Sequence, residues 1–249
     1  MKREEAALLL KPFLETLESV VAVWEAGSQA TGRVDAYSDL DLLIITQDEE
    51  VEKTLQKTYE FLKKHLSIRH YIRAPEPTWH GFSQFFVIPD DQDLFYFDLS
   101  FTKVSQPDKF TDVERHGKAT IWFEKTPLYS PTSFENEEKE KMLVRIKQSA
   151  LLYAPIIERE TRKACKRDSF MDAMSMYHTY LTRFLVPFIN LLYRPNKADF
   201  GVRYLKNDIP YDVYQKISTL FIAPSCNVIS EKINEAVRWY EELKTLLNQ

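Results

Sequence analysis

The apolar pattern of this chain changes character near residue 130, and that change constrains the fold more than any other feature. Before it, short β-rich runs alternate with helical stretches. Val20-Val21-Ala22-Val23-Trp24 has the unbroken apolar character of a buried strand, and residues 39–46, Asp-Leu-Asp-Leu-Leu-Ile-Ile-Thr, form a second. Residues 49–66 place Val51, Leu55, Tyr59 and Leu62 on one helical face. Residues 67–73, 82–88 and 94–101 read as three more strands, with Pro75, Pro77, Pro89, Asp90 and Asp91 as turns between them. One helix among several strands implies a mixed sheet. The segment from Lys125 to Glu135 holds Pro127, Ser130, Pro131, Thr132 and Ser133 and reads as a linker. Beyond it, residues 136–164, 169–193, 211–221 and 227–247 are helical, with Asp168 as an N-cap and Pro187 kinking its helix or lying near its end. The expectation is an α/β (α+β) chain: a mixed-sheet domain over residues 1–130, followed by a C-terminal helical bundle domain over residues 131–249.

Composition removes several functional classes. The chain has two cysteines, Cys165 and Cys226, remote in sequence and without a CxxC, so a disulfide scaffold and a cysteine zinc site are both disfavoured. The first residues, Met1 to Glu5, open a charged amphipathic helix rather than a leader peptide, and no apolar stretch approaches the roughly 18 residues of a membrane span. A cytoplasmic protein without a membrane partner is expected. Net charge is −4 and the pI about 5.8, with no basic stripe, which argues against a nucleic-acid partner. Glycine is scarce, 5 residues in 249 against an average near 7%, so each one can mark a backbone requirement.

Two of those glycines bracket the informative stretch, which runs from Gly27-Ser28 through Gly32 to Asp39-Leu40-Asp41. Gly27 and Gly32 have the glycine spacing of a P-loop, but Arg33-Val34 stands where Lys-Ser/Thr is needed. Asp39 and Asp41 sit two apart on a strand, so both point to one face with Cα atoms about 6.5–7 Å apart. Carboxylates this close repel unless a cation lies between them, and magnesium is the hard cation that oxygen donors suit. Asp98, alone in the apolar run Leu94 to Phe101, is costly to bury unless it faces a metal or a polar cleft. Beside Asp39 and Asp41 it completes a site for two Mg2+ ions roughly 3.5–4 Å apart. Gly27-Ser28, opening a turn after a buried strand, offers backbone N–H groups and a hydroxyl to a phosphate. Together these residues describe a nucleoside triphosphate site.

At these residues the sequence resembles the nucleotidyltransferase superfamily that includes DNA polymerase beta. The wording Gly27-Ser28, Gly32, Asp35, Tyr37-Ser38-Asp39-Leu40-Asp41-Leu42 is most similar to the aminoglycoside nucleotidyltransferase branch. A looser similarity runs through Lys166-Arg167-Asp168, Leu192 to Pro195, and Arg203-Tyr204-Leu205 with Asp208 and Pro210. Arg33 follows the second glycine where many relatives place an arginine before it, so the resemblance assigns it no role. The resemblance implies an enzyme that transfers a nucleoside monophosphate, AMP from ATP, to a hydroxyl of a small aminoglycoside-like acceptor and releases pyrophosphate, with the site in a cleft between the two domains. It implies that Asp39 and Asp41 bind both metals, that Asp98 binds the catalytic metal and takes the acceptor proton, and that Gly27 and Ser28 hold the triphosphate. Adenylylation of a protein side chain, and a non-catalytic nucleotide sensor on the same fold, are the alternatives.

Other residues have plainer readings beside functional ones. Arg159, Arg162, Lys163, Lys166 and Arg167 could meet a triphosphate, but pairs such as Glu158–Arg162 favour a solvated helix face. Lys147 has nothing local to distinguish it. Tyr204 reads as a core tyrosine sooner than a base platform. Trp79, His80, Phe82, Phe85 and Phe86 are simplest as sheet or hairpin packing, with Trp79-His80 in a loop placed to border an acceptor. Ser28 has the alternative of a helix cap, and Gly81, Gly117 and Gly201 read as ordinary loop glycines.

Overall fold

A computed structural model describes the chain apart from Pro77, Trp79, His80, Gln92, Asn248 and Gln249. The chain divides into two compact units, Met1–Ser133 and Phe134–Gln249. The first runs α1 (Arg3–Thr16), β1 (Val20–Glu25), α2 (Gly27–Ala30), β2 (Leu40–Thr46), α3 (Val51–His65), β3 (Ile68–Arg73), β4 (Ser83–Pro89), β5 (Phe97–Lys103), α4 (Val113–His116) and β6 (Thr120–Glu124). The strands form one sheet in the order β3-β4-β5-β2-β1-β6. Only β2 and β5 pair in parallel, so the sheet is mixed.

Period-two alternation decides the two faces of this sheet. Leu40, Leu42 and Ile44 of β2, with Phe97, Leu99 and Phe101 of β5 and Phe85 and Val87 of β4, form one core with Ala6, Leu10 and Leu14 of α1 and Leu55 and Leu62 of α3. The i, i+4, i+8 spacing of Ala6, Leu10 and Leu14 gives α1 its single buried stripe. Burial of those three side chains is complete, Leu10 and Leu14 each contributing about 1.5–3 kcal/mol. On the opposite face Ala22, Trp24, Leu43, Ile45 and Phe82 pack under Phe110, Ala119, Leu128 and Tyr129. No helix lies among the residues of this second core, so that face carries the polar residues at the starts of β2 and β5.

The third strand expected over 94–101 begins only at Phe97, and Leu94 to Tyr96 lead into it outside the regular ladder. β6 and α4 are additions to the expected elements. Thr120-Ile-Trp-Phe is a β-rich run, and pairing with β1 makes it a strand.

The second unit contains α5 (Asn136–Lys166), α6 (Phe170–Tyr180), α7 (Val186–Tyr193), α8 (Leu205–Asp208), α9 (Tyr211–Leu220) and α10 (Cys226–Leu246) around one apolar core. A π-helical segment, Leu181–Leu185, joins α6 to α7, and Pro187 falls in the first turn of α7. Proline lacks the N–H that would continue an i→i−4 ladder, and the widened turn accommodates that loss. Asp168 does not cap α6. It takes a left-handed conformation, φ 53°, ending α5, and Ser169 is the residue that precedes the helix. Arg194 and Asp208 form a buried ion pair at 2.9 Å, and the Arg194 guanidinium also donates to the carbonyls of Gly201 and Arg203. That network explains why the stretch from Arg194 to Asp208 needs these residues: it ties an irregular loop to α7 and α8. Cys165 and Cys226 are free thiols and meet where α5 ends and α10 begins; burial pushes the Cys226 thiol up. Among the described residues no helix is long and apolar enough to cross a membrane.

Candidate active site

The polar residues of the open sheet face converge at one edge because of strand direction. β1 ends there, and the parallel strands β2 and β5 both begin there. In the parallel register Asp41 pairs with Asp98 and Leu40 with Phe97. Paired residues on neighbouring strands share a face, with strands about 4.8 Å apart. One step outward in the same register, Asp39 lies opposite Tyr96, and the Leu40 N–H donates to the Tyr96 carbonyl at 3.3 Å. Asp39, Asp41, Tyr96 and Asp98 therefore occupy the corners of one small square.

The electrostatics follow that placement. Burial, then the charge of Asp39 and a hydrogen bond to it, then the charges of Asp41 and Asp98, push the Tyr96 hydroxyl well above its ordinary value of 10.0. Tyr96 thus stays protonated and is a donor to Asp39. Asp98 is held from the other side, where Gln84 Nε2 donates to its Oδ1 at 2.6 Å. Gln84 reaches it because β4 pairs antiparallel to β5 with Phe86 opposite Asp98 and Gln84 opposite Ser100, all on the open face. Neither Tyr96 nor Gln84 was anticipated from the sequence.

Gly27 is set against this square. It has φ +56°, and a Cβ built on it would lie 1.8 Å from Oδ2 and 2.5 Å from Cγ of Asp41. Only glycine allows the turn to rest on that carboxylate. The Ala26 N–H donates to the Asp41 carbonyl at 3.0 Å, so the end of β1 pins the turn to the same residue. Ser28 lies inside α2, with Ala26 as N-cap, and does not act as the cap. Thr31 Oγ1 donates to the Gly27 carbonyl at 3.1 Å, and the Arg33 N–H to the Ser28 carbonyl at 2.8 Å, closing the turn.

Gly117 is not an ordinary loop glycine. Its φ is +80°, a Cβ there would lie 2.3 Å from the Ala30 carbonyl oxygen, and the Lys118 N–H donates to that oxygen at 3.0 Å. The segment after α4 thereby braces the far end of the turn. Gly117 is the C-cap of α4, a short helix capped at its other end by Asp112, whose side chain accepts from the Glu114 and Arg115 N–H groups.

Between turn and carboxylates, Asp35 organises the loop: its Oδ1 accepts from the Tyr37 N–H at 2.9 Å and the Ser38 hydroxyl at 3.0 Å. Tyr37 is left exposed beside Asp39. Outside this region, Arg162 pairs with Glu158 at 2.8 Å, and its Nη1 donates to Asn234 at 2.7 Å. Lys147 donates to the Leu247 carbonyl at 3.1 Å. The Arg203 guanidinium lies over the Tyr204 ring, 5.1 Å from its centroid, and Tyr204 is left-handed at φ 62°. Trp79 and His80 lie outside the described residues.

Three carboxylates acting on one hydroxyl are hard oxygen donors of the kind a magnesium ion suits. Among the described residues no three His, Cys, Asp or Glu side chains are arranged as a ready metal shell. The donor set fits Mg2+ in its chemistry and its shared face; Gln84 and Tyr96 are the groups that hold two of the three carboxylates.

Residues 9–75 match the nucleotidyltransferase domain family, a span that includes α1, the turn, Asp39 and Asp41. No curated protein sequence matches the chain. Among solved structures it is similar to an aminoglycoside 6-adenyltransferase from Bacillus subtilis, at 9% identity and TM-score 0.41 over 98% of this chain and 89% of that one. A nucleotidyltransferase-like protein from Exiguobacterium sibiricum matches at 13% identity and TM-score 0.34, covering 96% and 73%. A spectinomycin adenyltransferase from Enterococcus faecialis, with ATP and spectinomycin, matches at 12% identity and TM-score 0.32, covering 96% and 97%. The match to the nucleotidyltransferase domain family is confined to residues 9–75, and Asp98, Gln84 and Gly117 lie beyond that span.

Proposed function

We propose that this chain is a magnesium-dependent nucleotidyltransferase that moves AMP from ATP to a hydroxyl of a small molecule and releases pyrophosphate. The observation that carries the proposal is the seating of Gly27 on Asp41, with Asp98 paired to Asp41 across the parallel strands. A glycine turn resting against carboxylates that share one sheet face supports the reading, as does the match of residues 9–75 to the nucleotidyltransferase domain family.

Asp39, Asp41 and Asp98 would hold the metal ions, which when bound neutralise phosphate charge in the transition state. The N–H groups of the Gly27–Ser28 turn and the Ser28 hydroxyl orient the triphosphate for in-line displacement. Asp98 takes the proton of the acceptor hydroxyl as its oxygen bonds to the α-phosphorus. The bond from that phosphorus to the bridging oxygen breaks, and pyrophosphate leaves with both electrons of the bond. Gln84 orients Asp98 through a neutral amide, which fixes the carboxylate without cancelling its charge. Tyr96 does the same for Asp39.

The acceptor we favour is a polyhydroxylated amine of the aminoglycoside kind. A carboxylate-lined edge on a chain of net charge −4 attracts a cationic acceptor and repels a nucleic-acid primer. The experiment is incubation with labelled ATP, magnesium and a panel of acceptors. Pyrophosphate release that needs an acceptor and is lost in Asp41→Asn and Asp98→Asn is the expected result. ATP binding with no turnover on any acceptor overturns it in favour of a nucleotide sensor.

A further inference from the structure

We propose that Arg3 is a positioning residue for the Gly27–Thr31 turn, acting through Glu25 and Gln29; the nucleotidyl-transfer reading enters only in what the turn is said to hold. Glu25 ends β1 on the face covered by α1, with its side chain 3% exposed. A carboxylate that deeply buried needs a counter-charge and its own hydrogen bonds. Both come from far in sequence. Arg3 Nε and Nη2 reach Glu25 Oε1 at 2.7 and 2.5 Å, and Trp122 Nε1 on β6 donates to Oε2 at 2.9 Å.

The guanidinium has more donors than Glu25 uses. Arg3 Nη2 also donates to Gln29 Oε1 at 2.8 Å. Gln29 is the third residue of α2, and its Nε2 reaches Thr120 Oγ1 on β6 at 3.4 Å. One planar fork thus ties the start of α1, the end of β1 and the side of the turn. Lysine has the charge but not the fork, so it can satisfy Glu25 without reaching Gln29 in a fixed direction. With Gly117 and Lys118 on Ala30, the turn is held on two sides and cannot swing off Asp41. Stability alone would be served by an apolar pair in this position; a buried fork adds direction.

Arg3→Lys and Gln29→Met separate direction from charge, and Gln29→Met leaves the Arg3–Glu25 pair intact. The first readout is hydrogen exchange at Ala30, Thr31, Gly32 and Arg33, whose N–H groups close the turn. Exchange there is expected to rise about tenfold in both variants, with β1 and β2 protected as before. The second readout is magnesium–ATP against AMP affinity by calorimetry. ATP affinity is expected to fall about tenfold with AMP within about twofold, since only the turn's phosphate grip is loosened. Unchanged turn exchange in both variants overturns the clamp. So does an unchanged ATP-to-AMP preference in variants of a wild type that binds ATP. A wild type with no ATP affinity defeats the nucleotide reading instead, and the exchange rates then decide the clamp alone.

Discussion

Replacing Gly27 by alanine separates two demands that the site makes of one residue. The first is backbone conformation: φ is +56°, where an L-residue costs about 1–2 kcal/mol. The second is contact: the new Cβ would lie 1.8 Å from Asp41 Oδ2, and the oxygen must retreat to at least 3.0 Å, a shift of 1.2 Å or more. A carboxylate can rotate, so most of this contact appears as displacement rather than unfolding. Gly32→Ala is the control, because Gly32 has φ +67° but nothing within 4 Å of a built Cβ. The two variants should therefore unfold in urea within about 1 kcal/mol of each other, both about 1–2 kcal/mol below wild type. Their turnover should differ widely, since about 1 Å of misplacement at a reacting group costs about 100-fold. The assay is acceptor-dependent pyrophosphate release at saturating ATP, beside the urea melts. Equal turnover at equal stability would refute the reasoning, because the Gly27–Asp41 contact would then have no catalytic consequence. Valine at Gly27 is a poorer test, since its bulk confounds the contact with loss of the turn.

Three further outcomes are expected. Gln84→Leu removes the donor on Asp98 Oδ1 and should lower kcat by about tenfold or more while leaving the KM for ATP within about twofold, measured by steady-state pyrophosphate release. Asp208→Ala takes a buried carboxylate from Arg194, whose side chain is 5% exposed, and should destabilise the helical unit by about 3 kcal/mol in urea melts. The Arg73 hydrogen bond and charge hold Glu52 below its ordinary value of 4.5. A lowered carboxylate contributes stability above the unfolded value that is lost as pH falls through the folded one. Glu52 is 70% exposed, so screening limits the effect to about 0.5 kcal/mol; Glu52→Gln should show it at neutral pH and none at about pH 2.

Periodicity carried the main elements because each buries one face. Val51, Leu55 and Leu62 announce α3, and the apolar run from Leu40 to Ile45, broken only by Asp41, announces β2. Elements whose form depends on a partner were less visible. β6 is a five-residue run that becomes a strand by pairing with β1, which lies far earlier in the chain. Asp168 has the composition of a cap, yet the end of α5 draws it into the left-handed region before Ser169 starts α6. Local propensity states a preference there, and the neighbouring helix end decides it.

The same distinction divides the site. Asp39, Asp41 and Gly27 are legible because they share one strand-turn-strand segment, where spacing implies geometry. Asp98 is legible by its oddness, a charge in an apolar strand, but its place opposite Asp41 comes from the β2–β5 register. Gln84, Tyr96, Arg3, Glu25 and Gly117 gave no local sign. Each acts through a residue distant in sequence: Gln84 on Asp98, Arg3 on Glu25 and Gln29, Gly117 on Ala30. A motif therefore marks the groups proposed to meet substrate, while the groups that aim them are set by topology. If so, substitutions at Gln84 and Arg3 should alter rate and affinity separately, Gln84 through Asp98 and Arg3 through the turn. Substitutions at Asp41, which Gly27, Ala26 and β5 all contact, should alter both together.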